Sequence, residues 1–268
     1  MRTMLRLGAT MFVLVGILAT STTVRAGDTL DRVLDARTLV VGLSADQPPL
    51  NAVNRQGNYM GFDVDLARAL ANAMRVELEF RRIPFGDLLP ALEAGRVDMV
   101  VSGVAITPER SRKAVFVGPY MLGGKSVLAT ADAIERFASG DLASQDVRLA
   151  ALKNSTSATF VREAAPQATL VEVDDYAEAI ELLLDGKAAG LVADEAACKL
   201  AVLRNPDAGL VTLEKPLTVE PYGIALDTGD PEFLNLVQNY VSAYERTGLL
   251  SALRQKWFED SGWIAALP

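Results

Sequence analysis

Histidine is absent from this chain of 268 residues, and cysteine occurs once. Protein zinc sites and the Ser–His and Cys–His catalytic pairs depend on these residue types, so the sequence gives them little support. A single cysteine excludes a disulfide within the chain. We expect Cys198, in the segment ADEAACKL, to be a buried apolar residue on a helix. We expect no metal and no cofactor.

Long apolar runs are also missing. No run reaches the ~20 residues that a membrane-spanning helix needs. The run from about Ala9 to Ala19 follows Arg2 and Arg6 and precedes the small-residue site VRA, which ends at Ala26. This order predicts a secretory signal peptide over residues 1–26, cleaved after Ala26, and a periplasmic location. No cysteine lies near the site, which disfavours a lipoprotein anchor.

Positive charge is scarce, and the formal net charge is −8. The first 26 residues carry three arginines and no acid, so the remainder is more acidic still. Such a surface disfavours nucleic acids and anionic membranes as partners. Half of the residues are hydrophobic, which is ample for a packed core.

Predicted strands alternate with predicted helices along the chain, which favours parallel α/β sheets. A first set comprises strands 38–43, 76–81 and 98–102 and helices 63–74 and 85–94. A second set comprises strands 147–152, 169–173 and 189–193 and helices 157–164, 175–184 and 195–204. Two amphipathic helices, 231–247 and 249–258, follow with Gly248 between them.

Two such sets predict two lobes, and Gly and Pro mark the seams between them at 118–124 and 216–223. We expect one lobe from residues 27–120 with 221–268 and the other from 121–220. Ligands of open α/β sheets bind at the carboxyl ends of the strands, so the lobes would face each other across a cleft.

The segment DMVVSGVAITPER, residues 98–110, carries the strongest local signal. An apolar strand ends in Ser102 and Gly103, and a helix is expected to open at Thr107 with Pro108 at its first position. Small residues let a ligand approach the backbone, and the Arg110 guanidinium can hold a carboxylate through two hydrogen bonds. The segment is equally compatible with a plain strand–loop–helix connection.

Several blocks, taken in order, resemble the bacterial extracellular solute-binding proteins of family 3, the periplasmic receptors of polar amino-acid ABC importers. They are GFDVDLA (61–67), PFGDLLPALEAGRVDMV (84–100), SGVAITPER (102–110), VGPY (117–120), KNSTS (153–157), LVADEAA (191–197) and LRQKWFED (253–260). The resemblance implies a type II periplasmic-binding-protein fold, in which two α/β lobes joined by a two-strand hinge close on a ligand. It also implies a monomeric receptor that delivers its solute to the membrane permease of an ABC importer.

The resemblance implies ligand contacts in the first lobe as well. Arg110 would bind the ligand carboxylate, and Gly103, beside Ser102, would offer a backbone contact. Where the family often has Thr or Ser, this chain has Ala105, which removes one side-chain hydrogen bond of about 0.5–1.5 kcal/mol.

In the second lobe, the resemblance implies that Ser155, Thr156 and Ser157 open a helix towards the carboxylate. Lys153 would reach a ligand side chain. Asp194 would pair with the ligand's α-ammonium, although a helix N-cap before Glu195 is the alternative reading.

An aromatic residue that the family usually carries in its first loop is missing, since ADQPPL supplies Gln47 and Leu50. Phe85 offers a second aromatic position, either in the pocket or in the core. With these departures and Ala105, the ligand could be an amino acid, a derivative of one, or an organic acid without an α-amine.

The sequence therefore predicts a binding protein rather than an enzyme, with two alternatives. The first is a secreted dehydratase-like enzyme on the same fold, with Asp194 or Glu195 as its acid or base. The second is a sensory protein that passes a ligand signal to a membrane partner.

Overall fold

The computed structural model describes residues 28–138 and 146–268. The expected signal peptide, residues 1–26, lies outside the described residues. No helix in the described ranges is long and apolar enough to cross a membrane.

The described strands and α-helices alternate along much of the chain. The strands are β1 (Thr38–Leu43), β2 (Asp46–Gln47), β3 (Asn51–Val53), β4 (Tyr59–Met60), β5 (Glu77–Arg82), β6 (Met99–Val100), β7 (Val115–Gly123), β8 (Lys125–Thr130), β9 (Arg148–Leu152), β10 (Thr169–Val173), β11 (Gly190–Asp194), β12 (Leu210–Thr212) and β13 (Glu220–Leu226). The helices are α1 (Asp28–Ala36), α2 (Phe62–Met74), α3 (Leu88–Glu93), α4 (Ala131–Ala138), α5 (Thr156–Ala164), α6 (Tyr176–Leu184), α7 (Glu195–Arg204), α8 (Pro231–Arg246) and α9 (Leu249–Arg254).

Two five-stranded sheets organise the molecule, in the orders β5-β1-β6-β13-β7 and β10-β9-β11-β8-β12. The expected parallel pairing is present in both sheets, and each sheet also contains antiparallel strands. β1 runs parallel to β5 and β6, and β9 runs parallel to β10 and β11, but β13, β7, β8 and β12 pair antiparallel. The antiparallel strands arise because the chain leaves the first sheet and later returns to it.

The crossings between the sheets lie side by side. β7 ends at Gly123 in the first sheet, and β8 begins at Lys125 in the second. On the return path, Glu220 at the start of β13 pairs with Gly123. We call the part built on the first sheet the first lobe and the part built on the second sheet the second lobe. The lobe boundaries drawn from the sequence stay predictions.

Each lobe has its own apolar core. The larger cluster in the first lobe includes Phe62, Met99 and Trp257, and a cluster in the second includes Leu128 and Cys198. Cys198 is buried on α7, as predicted, and burial raises the pKa of its thiol to about 12. A thiol with so high a pKa is a poor nucleophile.

The segment after β6 departs from the prediction of a helix opening at Thr107. Its backbone pairs instead with the returning strand, since Ala105 forms a bridge to Tyr222 and the Ile106 amide donates to the Pro221 carbonyl at 2.7 Å. Only a short 3₁₀ turn follows, at Arg110–Arg112. The Thr107 hydroxyl accepts a hydrogen bond from the Arg110 amide at 3.2 Å, so the capping role expected of Thr107 serves that turn.

Candidate functional site

A small cavity lies where the carboxyl ends of the parallel strands of both lobes meet. It is lined by Gln47, Phe85, Gly103, Ala105, Arg110, Leu152, Ser155, Thr156, Ser157, Tyr176, Asp194 and Glu220. Most of these residues belong to segments that directly follow β1, β5, β6, β9, β10 and β11. This is the place where open α/β sheets bind ligands.

Arg110 extends from the first lobe to the second. One Nη atom donates to the Ala105 carbonyl at 3.0 Å, and the other donates to the Asn154 carbonyl at 3.1 Å. Its guanidinium carbon lies 5.7 Å from the centre of the Phe85 ring, a cation–π distance. Burial lowers the pKa of this guanidinium, and the negative charges of Glu220 and Asp194 oppose that effect. Arg110 is therefore fixed at the cavity wall by these contacts and offers a charged hydrogen-bond donor there.

Gly103 brings the backbone of the first lobe to the cavity. Its φ is +58°, and a Cβ atom there would lie 2.7 Å from Leu50 Cδ1, so a side chain would be strained and would collide. The Gly103 amide donates to the Tyr120 hydroxyl at 3.2 Å. Its carbonyl group is therefore the backbone group of Gly103 that remains to contact a ligand.

The start of α5 forms the floor contributed by the second lobe. Ser155 is the N-cap, and its hydroxyl accepts a hydrogen bond from the Ala158 amide at 3.0 Å. Thr156 and Ser157 occupy the first turn and line the same cavity. The positive end of the helix dipole therefore faces the enclosed space, which favours an anionic group there.

Asp194 is the last residue of β11 and stands at the N-cap position of α7. Its side chain makes no capping hydrogen bond but lies at the cavity wall beside the Tyr222 hydroxyl. Burial raises the pKa of Asp194, and the positive charge of Lys125 acts in the opposite direction. Binding of an ammonium group would relieve the cost of burying this charge.

The buried acceptor Gln47 Oε1 has no hydrogen-bond partner in the described structure, and the buried Tyr222 hydroxyl has the nearby Asp194 carboxylate as a polar neighbour. Gln47 is 3% exposed and lines the cavity, and Tyr222 is 2% exposed. The carboxylate with the largest electrostatic effect on the Tyr222 hydroxyl is Asp194. A buried polar group without a hydrogen-bond partner destabilises the fold unless a ligand or a water supplies that partner. The position of these groups beside the cavity therefore favours a polar ligand.

Two of the residues expected to contact a ligand lie elsewhere. Ser102 is fully buried behind the cavity, where its hydroxyl accepts a hydrogen bond from the Ser44 amide at 3.0 Å. The Lys153 side chain is exposed and is not part of the lining. Leu50 packs in the core of the first lobe against Gly103 rather than in the cavity.

Three lining residues, Leu152, Tyr176 and Glu220, were not among the predicted ligand contacts. Tyr176 is an apolar-type residue at the start of α6, where no polar motif marks it. Glu220 lies in the seam predicted at 216–223, but Gly and Pro there indicate a crossing and not a side chain that faces the cavity. Its carboxylate accepts hydrogen bonds from Lys125 Nζ at 2.7 Å and from the Thr156 hydroxyl at 2.9 Å.

Comparison with known proteins places this geometry in context. The family model for bacterial extracellular solute-binding proteins, family 3, matches residues 39–260. ABC transporter arginine-binding protein 1 of Escherichia coli (strain K12) is 30% identical over 221 residues, which cover 81% of this chain and 89% of that protein. Cyclohexadienyl dehydratase of Pseudomonas aeruginosa is 27% identical over 231 residues, 86% of each chain.

A solved structure is also similar, that of the ancestral amino acid-binding protein AncCDT-1, described as a precursor of cyclohexadienyl dehydratase. It superposes with a TM-score of 0.77 at 35% sequence identity, covering 86% of this chain and 99% of that one. Similarity of this extent covers both lobes.

Proposed function

Because this chain belongs to the bacterial extracellular solute-binding proteins of family 3 and has their two-lobed α/β fold, we propose that it is the periplasmic receptor of an ABC importer. It captures a small carboxylate-bearing solute, an amino acid or a close relative, between its lobes. Closure buries the solute, and the closed form presents it to a membrane permease. The receptor acts as a monomer after its signal peptide has been removed.

The observation that carries this proposal is the placement of opposite charges on the walls of one small cavity. Arg110 supplies a guanidinium from the first lobe, and Asp194 supplies a carboxylate from the second. The amino end of α5 adds a second site for negative charge. An α-amino acid carries a carboxylate and an ammonium a few ångströms apart, which matches this arrangement.

The relatives support the same class of ligand. The Escherichia coli relative is an arginine-binding protein, and the ancestral protein of similar structure is an amino acid-binding protein. Gln47 adds a buried amide whose Oε1 has no partner, which suits a polar ligand.

A thermal-shift screen tests the proposal. Residues 27–268 are unfolded and refolded to remove any ligand that copurifies, and are then mixed with amino acids and with amine-free organic acids. A ligand present at 100 times its Kd stabilises the fold by about 2.7 kcal/mol, which is readily detected. We expect at least one amino acid to stabilise the protein and calorimetry to give 1:1 binding. A screen in which no amino acid and no organic acid stabilises the protein would refute the proposal.

A second candidate function is the elimination of water from a cyclohexadienyl acid, because one relative is a cyclohexadienyl dehydratase. The observation that favours it is the position of the Asp194 carboxyl group in the cavity wall, where burial raises its pKa, since a carboxyl group that keeps its proton more readily can act as a general acid. Incubation with a cyclohexadienyl acid, followed by the ultraviolet absorbance of an aromatic product, distinguishes the two. A binding protein produces no such absorbance above a heat-denatured control.

A further inference from the structure

Lys125 places a fully buried ammonium group directly behind the cavity. Its side chain is 1% exposed, and its Nζ lies 2.7 Å from the Glu220 carboxylate and 2.6 Å from the Thr156 hydroxyl. Glu220 and Thr156 both line the cavity, whereas Lys125 does not. The lysine therefore approaches the Glu220 carboxylate from the protein side.

Lys125 is fixed in that position by the crossing strands. It is the first residue of β8, and its Cα pairs with that of Asp194 across the antiparallel ladder. Its amide donates to the Thr218 hydroxyl at 3.1 Å, and its carbonyl accepts from the Leu217 amide at 2.7 Å. A lysine anchored at both backbone groups and buried along its side chain cannot withdraw from Glu220 into solvent without opening the core.

The charges that face the cavity then balance. Its lining carries the carboxylates of Asp194 and Glu220 and the guanidinium of Arg110. Lys125 forms its ion pair with Glu220 from within the protein and also acts on Asp194, so the two acids and the two bases together are neutral. Because Glu220 is held by this contact, Asp194 and Arg110 are the acid and the base that remain for the ligand. The α-ammonium and α-carboxylate of an amino acid satisfy that pair and leave no unpaired charge.

A third charge on the ligand would have no partner. An unpaired ion is costly to bury, and Glu220 is not free to pair with a cationic side chain because it already pairs with Lys125. We propose that Lys125, by neutralising Glu220, restricts this site to α-amino acids with uncharged side chains. This inference rests on the proposed function and separates the chain from its arginine-binding relative.

Calorimetry on the refolded wild-type protein gives the first test, with glutamine, asparagine, serine and threonine as neutral probes, arginine and lysine as cationic probes, and glutamate as the acidic probe. We expect the best neutral probe to bind at least about tenfold more tightly than any charged one. Tighter binding of arginine, lysine or glutamate would overturn the inference and leave the proposed receptor function intact. If the thermal-shift screen finds no amino acid that stabilises the protein, the inference falls, and if it finds no stabilising acid of any kind, the proposed function falls as well.

Two opposite substitutions give the second test. Lys125→Met keeps the length of the apolar stem and frees Glu220, so the ratio of lysine or arginine affinity to neutral affinity should rise by at least about tenfold. Glu220→Gln leaves Lys125 uncompensated and should raise the ratio for glutamate instead. The double variant Lys125→Met with Glu220→Gln restores neutrality and should regain the wild-type preference.

Circular dichroism and the thermal midpoint establish that each variant is folded. If Lys125→Met does not fold, the affinity ratio for glutamate in Glu220→Gln decides the test. Affinity ratios that stay at the wild-type value in every folded variant would show that the Lys125–Glu220 pair has only a structural role.

Discussion

Arg110 is the residue on which the site depends most, because its guanidinium contacts a carbonyl group from each lobe. We expect Arg110→Lys to weaken binding of the best amino acid by on the order of tenfold or more, since an ammonium lacks the planar fork that pairs with a carboxylate. Isothermal calorimetry measures this loss. The exposed neighbour Arg112 provides the control, and Arg112→Lys should bind as the wild type does. Equal affinities for the wild type and Arg110→Lys would remove Arg110 from the ligand site.

Asp194 can be tested without changing the shape of the cavity. As the partner of an α-ammonium, its replacement by Asn should abolish the preference for an amino acid over the α-hydroxy acid of the same skeleton. A helix N-cap would tolerate Asn, so stability should change little. Competition calorimetry with the two matched ligands gives the ratio. If the Asp194→Asn protein still prefers the amino acid, another group of the protein must bind the ammonium.

Asp63 connects the site to the core and should give the fold a pH dependence. It is fully buried, and it accepts hydrogen bonds from Asn51 Nδ2 at 2.9 Å and from the Tyr120 hydroxyl at 2.8 Å. Burial raises its pKa from 3.8 to about 7, against the effect of those two donors. The folded state therefore holds a proton that the unfolded state releases, and this contribution to stability is lost as the pH rises from about 4 to 7.

Urea denaturation of the wild type and of Asp63→Asn, each at pH 4.5, 6 and 8, measures this contribution. The free energy of unfolding of the wild type should fall relative to that of the variant as the pH rises. Burial also raises the pKa of Asp46 and Asp194, so only the difference between the two proteins isolates Asp63. A constant difference across this range would mean that Asp63 stays in one protonation state.

Among secondary-structure elements, those decided by local pattern were predicted well. β1, β10 and α7 have the bounds that apolar periodicity and end signals indicated. Gly248, expected at a helix end, has a φ of +82° and separates α8 from α9. Elements decided by distant partners were missed, because β7, β8, β12 and β13 owe their pairing to the crossings between the lobes.

The same distinction between local pattern and distant partners explains which residues of the site could be predicted. Arg110, Asp194 and the start of α5 each follow a recognisable strand or helix signal, so their positions at the carboxyl ends of strands could be predicted. Glu220 and Lys125 lie on crossing strands far apart in the chain, and only the fold joins them. The helix expected at Thr107 gave way to pairing with β13, a tertiary contact that local propensity does not report.

The segment after α9 forms a second link between the lobes, away from the cavity. Leu267 is 3% exposed and packs with Ala52 of the first lobe and Leu200 on α7 of the second. Its carbonyl accepts from Arg55 Nε at 2.8 Å. We expect Leu267→Ala to lower the free energy of unfolding by about 2–3 kcal/mol and also to weaken ligand binding, because the contact joins both lobes in the closed arrangement.

Thermal denaturation and calorimetry measure the two effects of Leu267→Ala. The control is Leu203→Ala on the same helix α7, where the side chain is 67% exposed and the change should cost little. Reduced stability with unchanged affinity would show that this contact does not contribute to closure.

At the scale of the whole molecule, the two lobes are already in contact across the cavity. Besides the Arg110 bond, Asn154 Nδ2 donates to the Gly86 carbonyl at 3.2 Å, which again joins the second lobe to the first. The structure therefore corresponds to a closed arrangement, and a ligand can enter only if the lobes separate. Two crossing strands side by side provide the connection about which such a hinge motion would occur.

A crystal structure of the refolded protein with its best-binding amino acid would show directly which residues hold the ligand. We expect electron density for the amino acid between the lobes, with its carboxylate about 3 Å from the Arg110 guanidinium and its ammonium about 3 Å from Asp194. Density at another surface, or a ligand between the lobes whose carboxylate and ammonium contact neither residue, would contradict this expectation.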